Sequence, residues 1–111
     1  MDENNFDPAA CPLEEMMDVV GGKWKAVILW HLFKGPRRFS VLRKSIPGVS
    51  QKMLTQQLRE LEIHGLIDRR VYDDSPPRVE YWLTDLGKSF QPIHEAMIAW
   101  WSQHRSAIEG R

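Results

Sequence analysis

Two helical patterns meet across Pro47-Gly48-Val49, and this junction constrains the chain more than any other feature. Upstream, Val41, Leu42 and Ile46 are spaced to face inward from a short helix that Ser40 can cap. Downstream, Ser50 caps a longer helix running to about His64, and Gly65 closes it. Proline does not continue a helix, and glycine reaches the backbone angles that a tight turn needs. Helix, glycine-containing turn and second helix together form a helix-turn-helix.

The rest of the chain arranges itself around that motif. Residues 1–10 are poor in apolar side chains and read as a flexible N-terminal arm. Cys11-Pro12 opens a helix, since proline is at home in a first helical turn, and Gly21-Gly22 ends it. Lys23 to Lys34 is apolar nearly all round, so a central, buried helix is expected there, stopped by Gly35-Pro36. Arg37-Arg38-Phe39 is too short for more than a strand stub. Ile67–Tyr72 and Arg78–Leu83 have strand character, and Asp73-Asp74-Ser75-Pro76-Pro77 between them is turn chemistry, which gives a β-hairpin. Thr84 caps the segment after the hairpin, and a last helix runs from Lys88 to about His104, with Pro92 able to break it. Ile108-Glu109-Gly110-Arg111 spells a recognition sequence of a tag-removing protease, so residues 106–111 are set apart as a tag remnant. The domain then spans 11–105, and 111 residues leave no room for a second one. The element order is that of a winged helix: a mainly α (α+β) fold with a two-stranded hairpin as the wing.

Formal net charge is zero, but its distribution is not even. Residues 1–22 carry six acids and no bases, and residues 71–111 carry six acids and four bases. Residues 23–70 carry eleven Lys/Arg against three acids, a net of +8. A basic block between acidic ends can present a positive face on a neutral chain, the electrostatic footprint of a nucleic-acid binder.

On the Ser50–His64 helix, at 100° per residue, Leu54, Leu58 and Leu61 form one apolar stripe. Gln51, Lys52, Thr55, Gln56 and Arg59 share a polar arc about 140° wide that contains no acid, with Glu60 and Glu62 outside it. Such side chains suit a major groove. Gln pairs with adenine, Arg or Lys with guanine, and Thr meets a thymine methyl or a phosphate. Ser50, at the helix start, joins them, because a helix N-terminus favours phosphate. Arg37, Arg38, Arg43 and Lys44 suit backbone phosphates. Arg69, Arg70 and Arg78 lie on the hairpin and could reach phosphates or a minor groove. Alternation puts Arg69 and Arg70 on opposite faces, so one of the two is expected to contact DNA; either the acidic tip Asp73-Asp74 points away while the arginines flank the groove, or the wing contributes little.

At several ordered positions the chain resembles the HxlR-type regulators, relatives of the MarR winged-helix group. The resemblance is carried by Gly21-Gly22-Lys23-Trp24, Arg38-Phe39-Ser40-Val41-Leu42, Ile46 through Leu54, Leu58-Arg59-Glu60-Leu61-Glu62, Gly65-Leu66-Ile67, Pro76 through Tyr81, and Leu83-Thr84-Asp85-Leu86-Gly87. It covers about residues 11–104. It implies a DNA-binding transcription regulator that works as a homodimer built from its terminal helices, with the Ser50–His64 helix reading double-stranded DNA. The sequence supports a dimer independently. Ile93, Met97, Ile98, Trp100 and Trp101 cover more than one side of the last helix, and Leu13, Met16, Met17 and Val20 line its expected partner.

Cys11 is the single cysteine, which excludes an internal disulfide. Its place before Pro12 puts it at a helix cap, where the helix dipole favours a thiolate while Glu14 and Glu15 oppose it. In the resembled family a cysteine followed by proline recurs here, and some members use it to sense oxidants or electrophiles. A small-molecule effector bound among Trp24, Trp30, Trp100 and Trp101 is a second reading, and an adaptor that has lost DNA binding is a third. No catalytic constellation, metal-ligand spacing or cofactor motif is present, and His31 reads as a hydrogen-bonded core histidine. No apolar run approaches the ~18 residues of a membrane helix. The acidic, polar start is not a secretory signal, so a cytoplasmic protein without membrane contact is expected.

Overall fold

The structure, a computed structural model, describes residues 11–110. The expected arm at 1–10 lies outside them. In chain order the elements are α1 (Pro12–Val20), α2 (Lys23–Leu32), β1 (Arg37–Arg38), α3 (Phe39–Ser45), α4 (Gln51–Ile63), β2 (Ile67–Tyr72), β3 (Arg78–Leu83), α5 (Asp85–Ser89) and α6 (Gln91–Glu109). This is a mainly helical winged helix.

Local chemistry explains most boundaries. Pro12 stands in the first turn of α1, with Cys11 as its N-cap. The Ser50 hydroxyl accepts the Met53 backbone N–H at 3.0 Å and starts α4. Gly65 ends α4 at a φ of 78°, which an L side chain rarely adopts. There the Leu66 N–H reaches the Leu61 carbonyl and the Gly65 N–H reaches Glu62, the paired bonds of a Schellman cap. Thr84 accepts the Gly87 N–H at 3.1 Å to cap α5, and its hydroxyl donates to the Gly65 carbonyl, tying the wing's exit to the end of α4.

One core joins these elements. Ile28 and Leu29 of α2, Leu42 of α3, Leu54, Leu58 and Leu61 of α4 and Ile67 of β2 are all fully buried. The leucine stripe of α4 is thus pinned against α2, and its opposite side is left outward.

The expected two-stranded hairpin is present, and the expected strand stub Arg37-Arg38 joins it to give the order β1-β3-β2, with Arg37 opposite Tyr81 and Arg38 opposite Glu80. The hairpin register itself runs from Ile67 opposite Leu83 to Tyr72 opposite Arg78. Several other expectations are corrected. The N-cap of α3 is Arg38 and not Ser40, and Val41 faces solvent. The last helical segment begins at Asp85 and breaks at Phe90, while Pro92 sits harmlessly in the first turn of α6. α6 continues through Glu109, past the expected boundary at 105, so residues 106–109 prolong the helix. The core histidine is His94, not His31. His94 lies buried under α2, its ring nitrogen 3.3 Å from the Ala26 carbonyl and its edges against Phe33 and Phe90. His31 is only half-buried and packs edge-on to Trp30, with its pKa lowered by burial and then by Lys34 and Arg37.

Candidate nucleic-acid interface

The outward side of α4 carries Gln51, Lys52, Thr55, Gln56 and Arg59, all exposed and backed by the buried leucines. Serine and threonine on this helix are partly engaged by it. Ser50 holds the cap, and the Thr55 hydroxyl donates to the Gln51 carbonyl at 2.8 Å, so Thr55 offers its methyl group and an acceptor lone pair.

Each acid of α4 has a cation. Glu60 Oε1 lies 2.6 Å from Lys25 Nζ, and Glu62 Oε1 lies 3.8 Å from Arg69 Nε. The hydrogen bond from Lys25, then that from Gln56, holds the Glu60 carboxyl below the usual glutamate range. Neither acid therefore stands as a bare negative charge beside a phosphate backbone.

The flanking arginines divide by partner. Arg43 Nη1 donates to Gln51 Oε1 at 3.3 Å, linking α3 to the start of α4. Arg43, Lys44 and Gln51 line an open cleft of about 450 Å3 between the two helices, together with Phe39 and Ser40. Arg37 turns back onto the Pro36 carbonyl at 2.9 Å, whereas Arg38 is exposed. On the wing, Arg69 leans toward α4 and shares a crevice with Thr55, Arg59, Glu62 and the buried Tyr81. Arg70 is exposed. Arg78 is held within the wing: its Nε is 2.7 Å from Asp74 Oδ2 and its guanidinium lies 4.0 Å from the Tyr72 ring. That pair also cancels half of the acidic tip.

The expected dimer residues fall into two groups. Leu13, Met17, Ile93, Met97, Ile98, Trp100 and Trp101 are exposed in the single chain, and Cys11 is exposed at the start of α1. Met16 is half-buried against the chain's own core. Val20 is a correction, because at 7% exposure it belongs to that core and not to a surface. Within the single chain, Trp30 lines an open groove of about 310 Å3 with Phe33, Lys34, His94, Glu95 and Ile98.

Sequence reasoning missed Lys25 and the pairing of Glu60. A signal was present: Lys25 stands three, four and seven residues before Ile28, Leu29 and Leu32, a cation on the core stripe of α2. A lysine so buried is seldom unpaired.

The family model for HxlR-like helix-turn-helix proteins matches residues 19–109. The chain belongs to this family. It is 43% identical over 109 residues to YdeP, an HTH-type transcriptional regulator of Bacillus subtilis (strain 168), covering 98% of this chain and 85% of that one. Among solved structures, the redox regulator HypR in its reduced form superposes with a TM-score of 0.85 at 42% identity, covering 91% of this chain and all of that one. An HTH-type regulator, ytcD, superposes at 0.80 with 48% identity, covering 86% of this chain and 97% of that one. This HxlR-like protein is a DNA-binding transcriptional regulator and not an enzyme. Among the described residues no group of His, Cys, Asp and Glu could hold a metal, and no helix is long and apolar enough to cross a membrane.

Proposed function

We propose that this regulator binds an inverted-repeat operator as a homodimer, placing one α4 per subunit in successive major grooves. The observation that carries the reading is the outward face of α4. Five acid-free polar side chains stand exposed there together, while both acids of the helix are paired with cations. Gln51, Lys52, Thr55, Gln56 and Arg59 read bases, and Arg38, Arg43 and Lys44 hold phosphates. Arg70 and Arg69 flank the groove from the wing, while Arg78 stiffens the wing. From Glu95 onward every residue of α6 is exposed, so the helix leaves its own domain and has an apolar side free for a second copy. Two-fold pairing sets the reading helices about one DNA turn apart.

Cys11 makes this binding responsive to oxidants or electrophiles. It is exposed at the N-cap of α1, within the terminal region assigned to dimerisation. A peroxide or a disulfide reagent would take two electrons and two protons from two Cys11 thiols, joining the subunits. An electrophile would alkylate each thiol. Either change alters the terminal helices and so the spacing of the reading heads. The similarity to a protein named as a redox regulator supports this part.

Selecting duplexes from a random pool with reduced and oxidised protein tests the proposal. An inverted repeat should emerge with the reduced protein, and Arg59→Ala should weaken its binding by about 1–3 kcal/mol. Cys11→Ser should bind equally before and after oxidation. No enrichment would refute the operator reading, and an unchanged redox response in Cys11→Ser would refute the sensor.

A further inference from the structure

The pairing of Lys25 with Glu60 reaches beyond stability, because Glu60 has a second partner. Gln56 Nε2 lies 3.3 Å from Glu60 Oε2, while Lys25 holds Oε1 at 2.6 Å. We propose that Lys25, whose side chain is almost wholly buried, is a specificity-setting residue that acts through Glu60 to fix which edge Gln56 shows to a base. The proposal rests on the assignment of α4 to the major groove.

The chemistry settles the orientation of the amide. A carboxylate only accepts hydrogen bonds, so the group Gln56 turns toward Glu60 must be its NH2 and not its oxygen. One N–H is used there. The remaining N–H and the carbonyl oxygen form the adjacent donor and acceptor that adenine N7 and N6–H2 match. The orientation holds only if Glu60 stays ionised and stays still. Lys25 provides both. Its side chain is 9% exposed and that of Glu60 36%, so the lysine is embedded in the scaffold while the carboxylate stands at the edge of the reading face. The short ion pair fixes one carboxylate oxygen and leaves the other directed at Gln56. Lys25 also cancels a negative charge that would otherwise face phosphates. The arrangement runs from α2 in the core, across Glu60, to a side chain on the outer arc of α4.

Fluorescence anisotropy on the selected operator and its single-base-pair variants, at one fixed salt concentration, tests the proposal with Q56A, K25M, E60Q and the double variant K25M/E60Q. Q56A identifies the base pair that Gln56 reads, as the position where discrimination falls about tenfold. K25M should flatten discrimination at that same pair by at least about fivefold and change other positions by no more than about twofold, on the same scale of contact strength. E60Q should do likewise: a glutamine at position 60 offers its oxygen to Lys25 and its NH2 to Gln56, and two facing donors force the Gln56 amide to turn. The double variant leaves no buried charge unpaired, so it keeps the readout available should E60Q, which strands the buried Lys25, melt early. Unchanged preference at the Gln56 pair in folded variants overturns the proposal, as does an equal loss at every position, the mark of general support. If Q56A flattens no position while Q51A and R59A each flatten one, the proposal fails and the groove reading of α4 stands.

Discussion

Trp100→Ala should weaken self-association of this protein by about two orders of magnitude. Trp100 is 55% exposed in the single chain, on the part of α6 that has left the domain. A tryptophan side chain presents on the order of 250 Å2, so roughly 140 Å2 stands bare. At about 25 cal/mol per Å2, covering it contributes roughly 3.5 kcal/mol per subunit. A two-fold interface uses each residue twice, giving roughly 7 kcal/mol as an upper bound. Part of the ring stays wet at any interface, and stacking on His104, with centroids 5.0 Å apart, persists within the subunit. Taking about three-fifths as lost leaves about 2.8 kcal/mol, or roughly 100-fold in the dimer Kd. Sedimentation equilibrium over a concentration series measures this, with thermal melting by circular dichroism as the control. Because Trp100 lies outside the buried core, the melt at a concentration where both proteins are monomeric should hardly move. A dimer constant within about threefold of the parent protein, with an unchanged melt, would refute the assignment of this face to the interface.

Arg43→Ala should weaken binding to all DNA sequences nearly uniformly and reduce the slope of log K against log salt by about one. Titrations at several salt concentrations check this, and an unaltered slope removes Arg43 from the backbone. Gly87→Ala should destabilise the fold by about 3 kcal/mol or more, because a methyl group there would overlap the Leu66 carbonyl oxygen and crowd Leu83 Cδ2 at 3.0 Å. Urea unfolding measures it, and a midpoint near that of the parent would show that the packing of α5 against Leu66 and β3 is looser than described. His31 titrates below its ordinary value of 6.5 in the folded chain, so the unfolded chain binds its proton more readily. Its contribution to stability is therefore complete above about pH 6.5 and is lost as pH falls toward the lowered folded-state value. His31→Gln should remove that acid-side loss, seen as a flatter dependence of melting temperature on pH between 7 and 5.

The elements that sequence reading located well are those fixed by neighbours close in the chain. The strands of the wing lie where alternation and the Asp73–Pro77 turn place them, and α4 starts at Ser50 because a serine hydroxyl three residues away satisfies an orphan N–H. The outer arc of α4 was legible for the same reason: 3.6-residue periodicity sorts leucines from glutamines without knowledge of any partner. Val41 and Val20 show the limit. Both are apolar at helical spacing, yet one faces solvent and the other is in the core, because burial depends on which distant element arrives at that side.

Sequence by itself determined the order of helices and strands, the turn between α3 and α4, the acid-free arc and the family, since caps, periodicity and motif spacing are local and additive. Only the tertiary structure decided that Arg37-Arg38 adds a third strand, that His94 and not His31 is enclosed, and that Lys25 reaches across to Glu60, 35 residues away. These are long-range pairings. A buried cation, a sheet edge and an imidazole each need a partner, and the chain names that partner only once its elements have packed.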